Sequence, residues 1–160
     1  MPVVALASKT EGWSQVAGPL VGTKGRVRAT DILPMDPLKN VDFIQGDFTE
    51  GVVVKAIFEW LGPNTFDLIV SDIAPNITGI DSADQASSMY FLELALDTVK
   101  RALKPKGDFL AKMFQGEGSD AYLRELRKSF DKISVRKPGA SRPRSREVYI
   151  VAKGFKPATG

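Results

Sequence analysis

The 160 residues are enough for one domain with its own core and hardly for two. At 43% hydrophobic and 26% charged, the composition is that of an ordinary globular protein and too apolar for a disordered chain. Cysteine and histidine are both absent, which excludes disulfides, zinc sites built on those residues, Cys or His nucleophiles and any Ser-His-Asp triad. Chemistry in this chain therefore runs on Lys, Asp, Glu, Ser, Tyr or a bound cofactor, and no metal is expected. No apolar run is long enough to span a bilayer, and no basic stretch followed by an apolar one marks a secretory leader. The expected compartment is the cytoplasm.

Strand-like and helical patterns alternate along the chain. Residues 3–7 (VVALA) are a short apolar run of strand type, and residues 13–21 have a helical pattern ended by Gly22 and Gly25. Arg26–Thr30 predicts a strand stopping at Asp31, and Val41–Gln45 another, closed by Gly46-Asp47. From Val52 to Leu61 the apolar positions 52, 53, 56, 57, 60 and 61 make one helical face, with Thr49 as N-cap and Gly62-Pro63 as stop. Phe66–Ser71 is a strongly apolar strand leading into Asp72. A long helix is predicted from about Gln85 to Leu103 on a stripe of Met89, Leu92, Leu96, Val99 and Leu103. Pro105-Lys106-Gly107 then turns the chain into a strand, Asp108–Phe114. Residues 119–130 form an amphipathic helix, and two β-runs, Ile133–Arg136 and Glu147–Ala152, close the chain with no helix between them.

Such alternation predicts an α/β fold with a mainly parallel sheet, and the final loop-joined pair puts one antiparallel strand into it. Ligands in these folds sit beyond the carboxyl ends of the strands, near the topological switch point. That rule singles out Ser8–Gly12, Asp31, Asp47, Asp72 and Phe114–Glu117. An acid after the second strand commonly binds ribose hydroxyls of a nucleotide-type cofactor, which suits Asp31. The bland alternative for a lone aspartate is a turn or cap. Lys112 lies within an otherwise apolar strand, grouped by alternation with Leu110 and Phe114. It must reach an acid, reach solvent or lose its proton. Glu147 opens the last strand; a surface salt bridge with a neighbouring arginine is its plainer explanation.

Charge is uneven. From Lys132 to Lys156 eight basic residues face Glu147 alone, giving +7 and leaving −4 for residues 1–131. Such a tail is expected to draw a polyanion, nucleic acid above all, to one end of the domain. Arg136, Lys137, Arg142, Arg144 and Arg146 are the candidate RNA contacts, three of them in the Pro/Gly/Ser-rich loop PGASRPRSR.

Five stretches, Asp31–Pro37 (DILPMDP), Val41–Phe48 (VDFIQGDF), Ser71–Asn76 (SDIAPN), Lys112–Gly118 (KMFQGEG) and Ser145–Val151 (SREVYIV), occur in the order found in the FtsJ/RrmJ family. The chain resembles these S-adenosylmethionine-dependent ribosomal RNA 2′-O-methyltransferases over about residues 12–156. The resemblance implies one Rossmann-like methyltransferase domain over 1–160, with a mostly parallel seven-stranded sheet, one antiparallel strand and helices on both faces. It assigns S-adenosylmethionine as cofactor and Gly12, Trp13, Asp31, Asp47, Phe48 and Asp72 to its binding. Asp72, Lys112 and Glu147 match three members of the family's Lys-Asp-Lys-Glu tetrad, with Lys112 as the base. A base needs its pKa lowered by burial or another cation, whereas Asp72 and Glu147 push it up. Orienting the hydroxyl or stabilising the alkoxide is therefore the alternative role for Lys112.

Two departures stand out. The tetrad's first lysine lies, in the family, in a basic segment before the first strand, and this sequence opens at the strand. The first cofactor loop also differs: Gly12-Trp13-Ser14-Gln15 match, but Ala5, Ala7 and Glu11 replace an acid and two glycines. The expected activity is thus 2′-O-methylation of a ribose, a uridine, in large-subunit ribosomal RNA by a monomer. A methyltransferase-like protein that binds RNA without methylating it is the alternative. A nicotinamide-dependent dehydrogenase lacks support because G-x-G-x-x-G is absent.

Overall fold

The computed structural model describes residues 2–6, 26–31, 41–46, 51–61, 65–71, 81–137 and 146–157. Among them are the strands β1 (Pro2–Leu6), β2 (Arg26–Asp31), β3 (Val41–Gln45), β4 (Phe66–Ser71), β5 (Leu103–Phe114), β6 (Phe130–Arg136) and β7 (Glu147–Phe155). The described helices are α1 (Gly51–Leu61), α2 (Asp81–Ala102) and α3 (Ser119–Ser129). The strands form one seven-stranded sheet in the order β3-β2-β1-β4-β5-β7-β6. β1 to β5 pair in parallel, and β7 runs antiparallel to both β5 and β6.

Strand alternation divides β5 between two environments. Phe109, Ala111 and Met113 join Ile69, Val148, Ile150 and Ala152 in a core with Val53 and Ile57 of α1, Leu92, Ala95, Leu96 and Val99 of α2, and Tyr122 and Leu126 of α3. The three described helices therefore cover one face of the sheet. Leu110, Lys112 and Phe114 turn to the other. The helix expected over residues 13–21 lies outside the described residues.

Several boundaries differ from the sequence expectation. α2 starts at Asp81 and ends at Ala102, because Leu103 already bridges Phe66 of β4. Between that bridge and Leu68↔Asp108 the register shifts, so Lys104–Gly107 bulge from β5 rather than precede it. Lys106 takes a left-handed φ of 71° there, and Lys104 pairs with Asp67. β6 begins at Phe130, which ends α3, because Phe130 pairs with Phe155 and its ring lies 6.3 Å from Phe109 and 5.4 Å from Phe155. Aromatic packing extends both strands through Asp131-Lys132 and Lys153-Gly154, whose polarity hid them in the sequence. No described helix is long and apolar enough to cross a membrane.

Tyr122 ties α3 to α2 through a 2.8 Å hydrogen bond from its hydroxyl to the Leu92 carbonyl. Burial, reinforced by the Glu93 charge, pushes the phenol pKa upward. Its neutral form is the folded one, so this stability is present below the ordinary tyrosine pKa of about 10 and lost above it. Tyr122→Phe is expected to cost about 1 kcal/mol at neutral pH. It should also lose less stability than the parent between pH 9 and pH 11, measured by urea unfolding at each pH; parallel losses would refute this account.

Candidate active site

β5 and β7 meet in the register Lys112↔Tyr149 and Phe114↔Glu147. Side chains directly opposite in an antiparallel pair share a face, so Lys112, Phe114, Tyr149 and Glu147 all lie on the face away from the described helices. Glu147 stands on the diagonal from Lys112, within reach of long side chains. Lys112 Nζ comes 3.0 Å from Glu147 Oε1, with side chains 5% and 35% exposed respectively. An ammonium this buried needs such a partner, and the Glu147 carboxylate supplies it. Lys112 is the buried member of the pair and Glu147 the more exposed one.

The turn after β5 borders this pair and is bonded throughout. Gln115 N–H donates to the Arg146 carbonyl at 2.9 Å, which joins the turn to the residue before Glu147. Ser119 Oγ accepts from Gly116 N–H at 3.2 Å and donates to the Gly116 carbonyl at 2.7 Å. Gly118 has φ 88°, a left-handed position that favours glycine, at the start of α3. From α2, the buried Gln85 carboxamide donates to the carbonyls of Phe114 (2.9 Å) and Glu117 (3.1 Å).

Sequence analysis missed Gln85. The signal was present: stepping back four residues from Met89 along the apolar stripe lands on a glutamine, a polar residue on a core-facing position. In the structure Gln85 and Ser88 are buried on that stripe, while Met89 is only partly covered.

The place for a nucleotide-type cofactor is also built. β1 is followed by β2 on one side and β4 by β5 on the other, so the order reverses between β1 and β4, the switch point at which such folds open a crevice beyond the carboxyl ends. There Leu6 pairs with both Thr30 and Ser71, and Asp31 pairs with Gln45, so the four strand ends finish level. Asp31 is the last residue of β2, where an acid suits ribose hydroxyls. Gly12, Trp13, Asp47, Phe48 and Asp72 lie outside the described residues. The strand ends that are described fit such a group.

The basic tail does not gather at one end, as its composition suggested. The β6–β7 hairpin places Arg136, Lys137 and Arg146 at the carboxyl edge beside the Lys112–Glu147 pair. It carries Lys132 and Lys153, which face each other in register, toward the opposite edge. Four residues of strand, roughly 13 Å, separate Lys132 from Arg136. Near the far end Lys106 and Lys156 share Asp131 at 3.7 and 3.8 Å. A hairpin necessarily returns its second strand to the start of its first, so a basic run in sequence is split in space. Arg142 and Arg144 lie outside the described residues.

Residues 1–155 match the FtsJ-like methyltransferase family. The chain is 63% identical over 156 residues to a ribosomal RNA large subunit methyltransferase E from Stutzerimonas stutzeri, covering 98% of this chain and 76% of that relative. The fold resembles that of a Plasmodium falciparum protein described as a ribosomal RNA methyltransferase, with a TM-score of 0.80 and 25% identity over 96% of this chain and 86% of that one. Human methyltransferase-like protein 13, solved with SAH, shares the fold at a TM-score of 0.64 and 18% identity, over 97% of this chain and 73% of that one. With the crevice, the buried ion pair and these relatives together, the chain belongs to the FtsJ-like methyltransferase family, whose methyl donor is S-adenosylmethionine.

Proposed function

We propose that this protein methylates a ribose 2′-hydroxyl of a uridine in large-subunit ribosomal RNA. The observation that carries the reading is the buried Lys112–Glu147 pair at the carboxyl edge. The relatives named as large-subunit ribosomal RNA methyltransferases supply the substrate class. Residues 1–160 act as one methyltransferase domain, a cytoplasmic monomer with helices on both faces of its sheet.

S-Adenosylmethionine, when bound, supplies a methyl group made electrophilic by its sulfonium. Gly12, Trp13, Asp31, Asp47, Phe48 and Asp72 would hold it, Asp31 through its ribose. Asp72, next in sequence after β4, and Lys112 and Glu147 form the catalytic group. Glu147 fixes the direction of the Lys112 side chain, whose ammonium acts on the ribose 2′-oxygen. The ammonium orients that oxygen and stabilises the negative charge it gains as its proton passes to solvent water. A fully hydrated lysine could do little of this, since water would compete for both its donors and its field. Arg136, Lys137 and Arg146 stand at the same edge and, together with Arg142 and Arg144, hold the phosphate backbone, which sets affinity while the pair sets chemistry.

Three measurements test this reading. Calorimetric titration with S-adenosylmethionine and S-adenosylhomocysteine comes first. Micromolar binding of both supports it, and a folded protein that binds neither is an RNA binder without methylation. Lys112→Ala should then reduce methylation of large ribosomal subunits by about a thousandfold or more, mapped by resistance of the nucleotide linkage to alkali, with RNA affinity within twofold. Equal loss of both would make Lys112 structural, and methyl groups on a base would refute the 2′-O chemistry. Finally, Arg142, Arg144 and Arg146 changed together to Ser should lower the salt slope of RNA binding by about 2. Lys132→Ser with Lys153→Ser should change it much less, because those lysines belong to the other edge; an equal effect would spread the RNA across both.

A further inference from the structure

We propose that Gln85 is a positioning residue for methyl transfer, locking the end of β5 so that Glu147 stays on Lys112. The inference rests on the reading of Lys112–Glu147 as the reacting pair. Phe114 and Glu147 are the last partners of the β5–β7 ladder at the carboxyl edge. Ladder ends are where pairing opens most readily, and this one holds the carboxylate that aims Lys112. The next bond outward is Gln115 N–H to the Arg146 carbonyl. Gln85 grips the same turn from the helix side, at the carbonyls on either side of it, Phe114 and Glu117.

The amide is there for its two donors. Its Oε1 is buried and has no hydrogen-bond partner among the described residues. An unpaired buried acceptor is a net cost, one that an apolar side chain of similar length, such as methionine, would avoid. Against that cost, the Gln85 Nε2 holds both carbonyls, which an apolar side chain could not do. The turn is also fitted to the amide: a Cβ on Gly116 would stand 2.8 Å from Gln85 Oε1 and 2.9 Å from its Cδ. Ser119 fastens Gly116 from the other side. With each end of the turn bonded, displacement at Phe114 passes directly to its partner Glu147.

The test combines amide hydrogen exchange with a double-mutant cycle on the full chain. In Gln85→Met the Gln115 amide should exchange at least about tenfold faster, while the paired amides of β4 keep the parent rate. Its methyl-transfer rate constant should fall about ten- to a hundredfold with the KM for RNA within twofold. In a Glu147→Gln background the same change should add little, because both remove one function. Unchanged exchange at Gln115, or losses that multiply, would overturn the proposal. If Glu147→Gln alone leaves the rate intact, the parent reading fails and takes this one with it. If Glu147→Gln is damaging and Gln85→Met is not, this one fails alone. Should Gln85→Met not fold, Gln85→Glu replaces it: its carboxyl regains one donor on protonation. The ratio of its rate to the parent's should then rise as pH falls, and a flat ratio would overturn the inference.

Discussion

A lysine can sit inside a sheet only where an anion meets it, and here the meeting depends on the direction of one strand. Every strand from β1 to β5 brings its carboxyl end to the site edge. β7 runs the other way, so its first residue, Glu147, arrives there instead of its last, Phe155. A parallel β7 would set the hydrophobic end of that strand beside Lys112. The pair itself is poor evidence of stabilisation, because desolvating two charges cancels much of their attraction. Leu110 and Phe114 show that apolar side chains suit the same face of the same strand. Under the proposed function, the ion pair among them serves to orient an ammonium toward a reacting oxygen.

The same hairpin divides the basic tail. Antiparallel geometry brings Arg136, Lys137 and Arg146 to the carboxyl edge and sends Lys132 and Lys153 toward the other. Lys132 and Lys153 stand directly opposite, an arrangement that costs stability through like-charge repulsion. β6 is the edge of the sheet among the described strands, and lysines there discourage edge-to-edge pairing with another chain. The net charge of the tail is thus divided between the two edges, and among the described residues Arg136, Lys137 and Arg146 are the tail cations at the edge of Lys112.

Much of the architecture was legible because its signals are local. Period-2 and period-3.6 patterns located all ten described elements, and the absence of a helix between β6 and β7 foretold the reversed strand. Lys112 announced itself as a charge in an apolar run. What was hidden is non-local. Phe130 lies between Ser129 and Asp131 and Phe155 between Gly154 and Lys156, and only their contact across the hairpin reveals them as strand. Leu103 continues the stripe of α2 in sequence, yet its bridge to Phe66 takes it into β5. Gln85 looked like a helix-start residue because its partners lie 29 and 32 positions away. The division of the basic tail was likewise invisible to a count of charges.

Those distant partners also explain how a helix on one side of the sheet can influence a pair on the other. α2 packs against Phe109, Ala111 and Met113, while Lys112 and Glu147 project from the opposite face. No side chain of α2 can pass through a hydrogen-bonded sheet to touch them. Backbone carbonyls, however, lie in the plane of the sheet and become reachable from either face where a strand ends. Phe114 is such a position, and its carbonyl is the one that Gln85 takes. A constraint applied there acts on the register of β5 against β7, and register is what sets the distance from Glu147 to Lys112. The rigid core can thus hold a polar site without contributing a side chain to it.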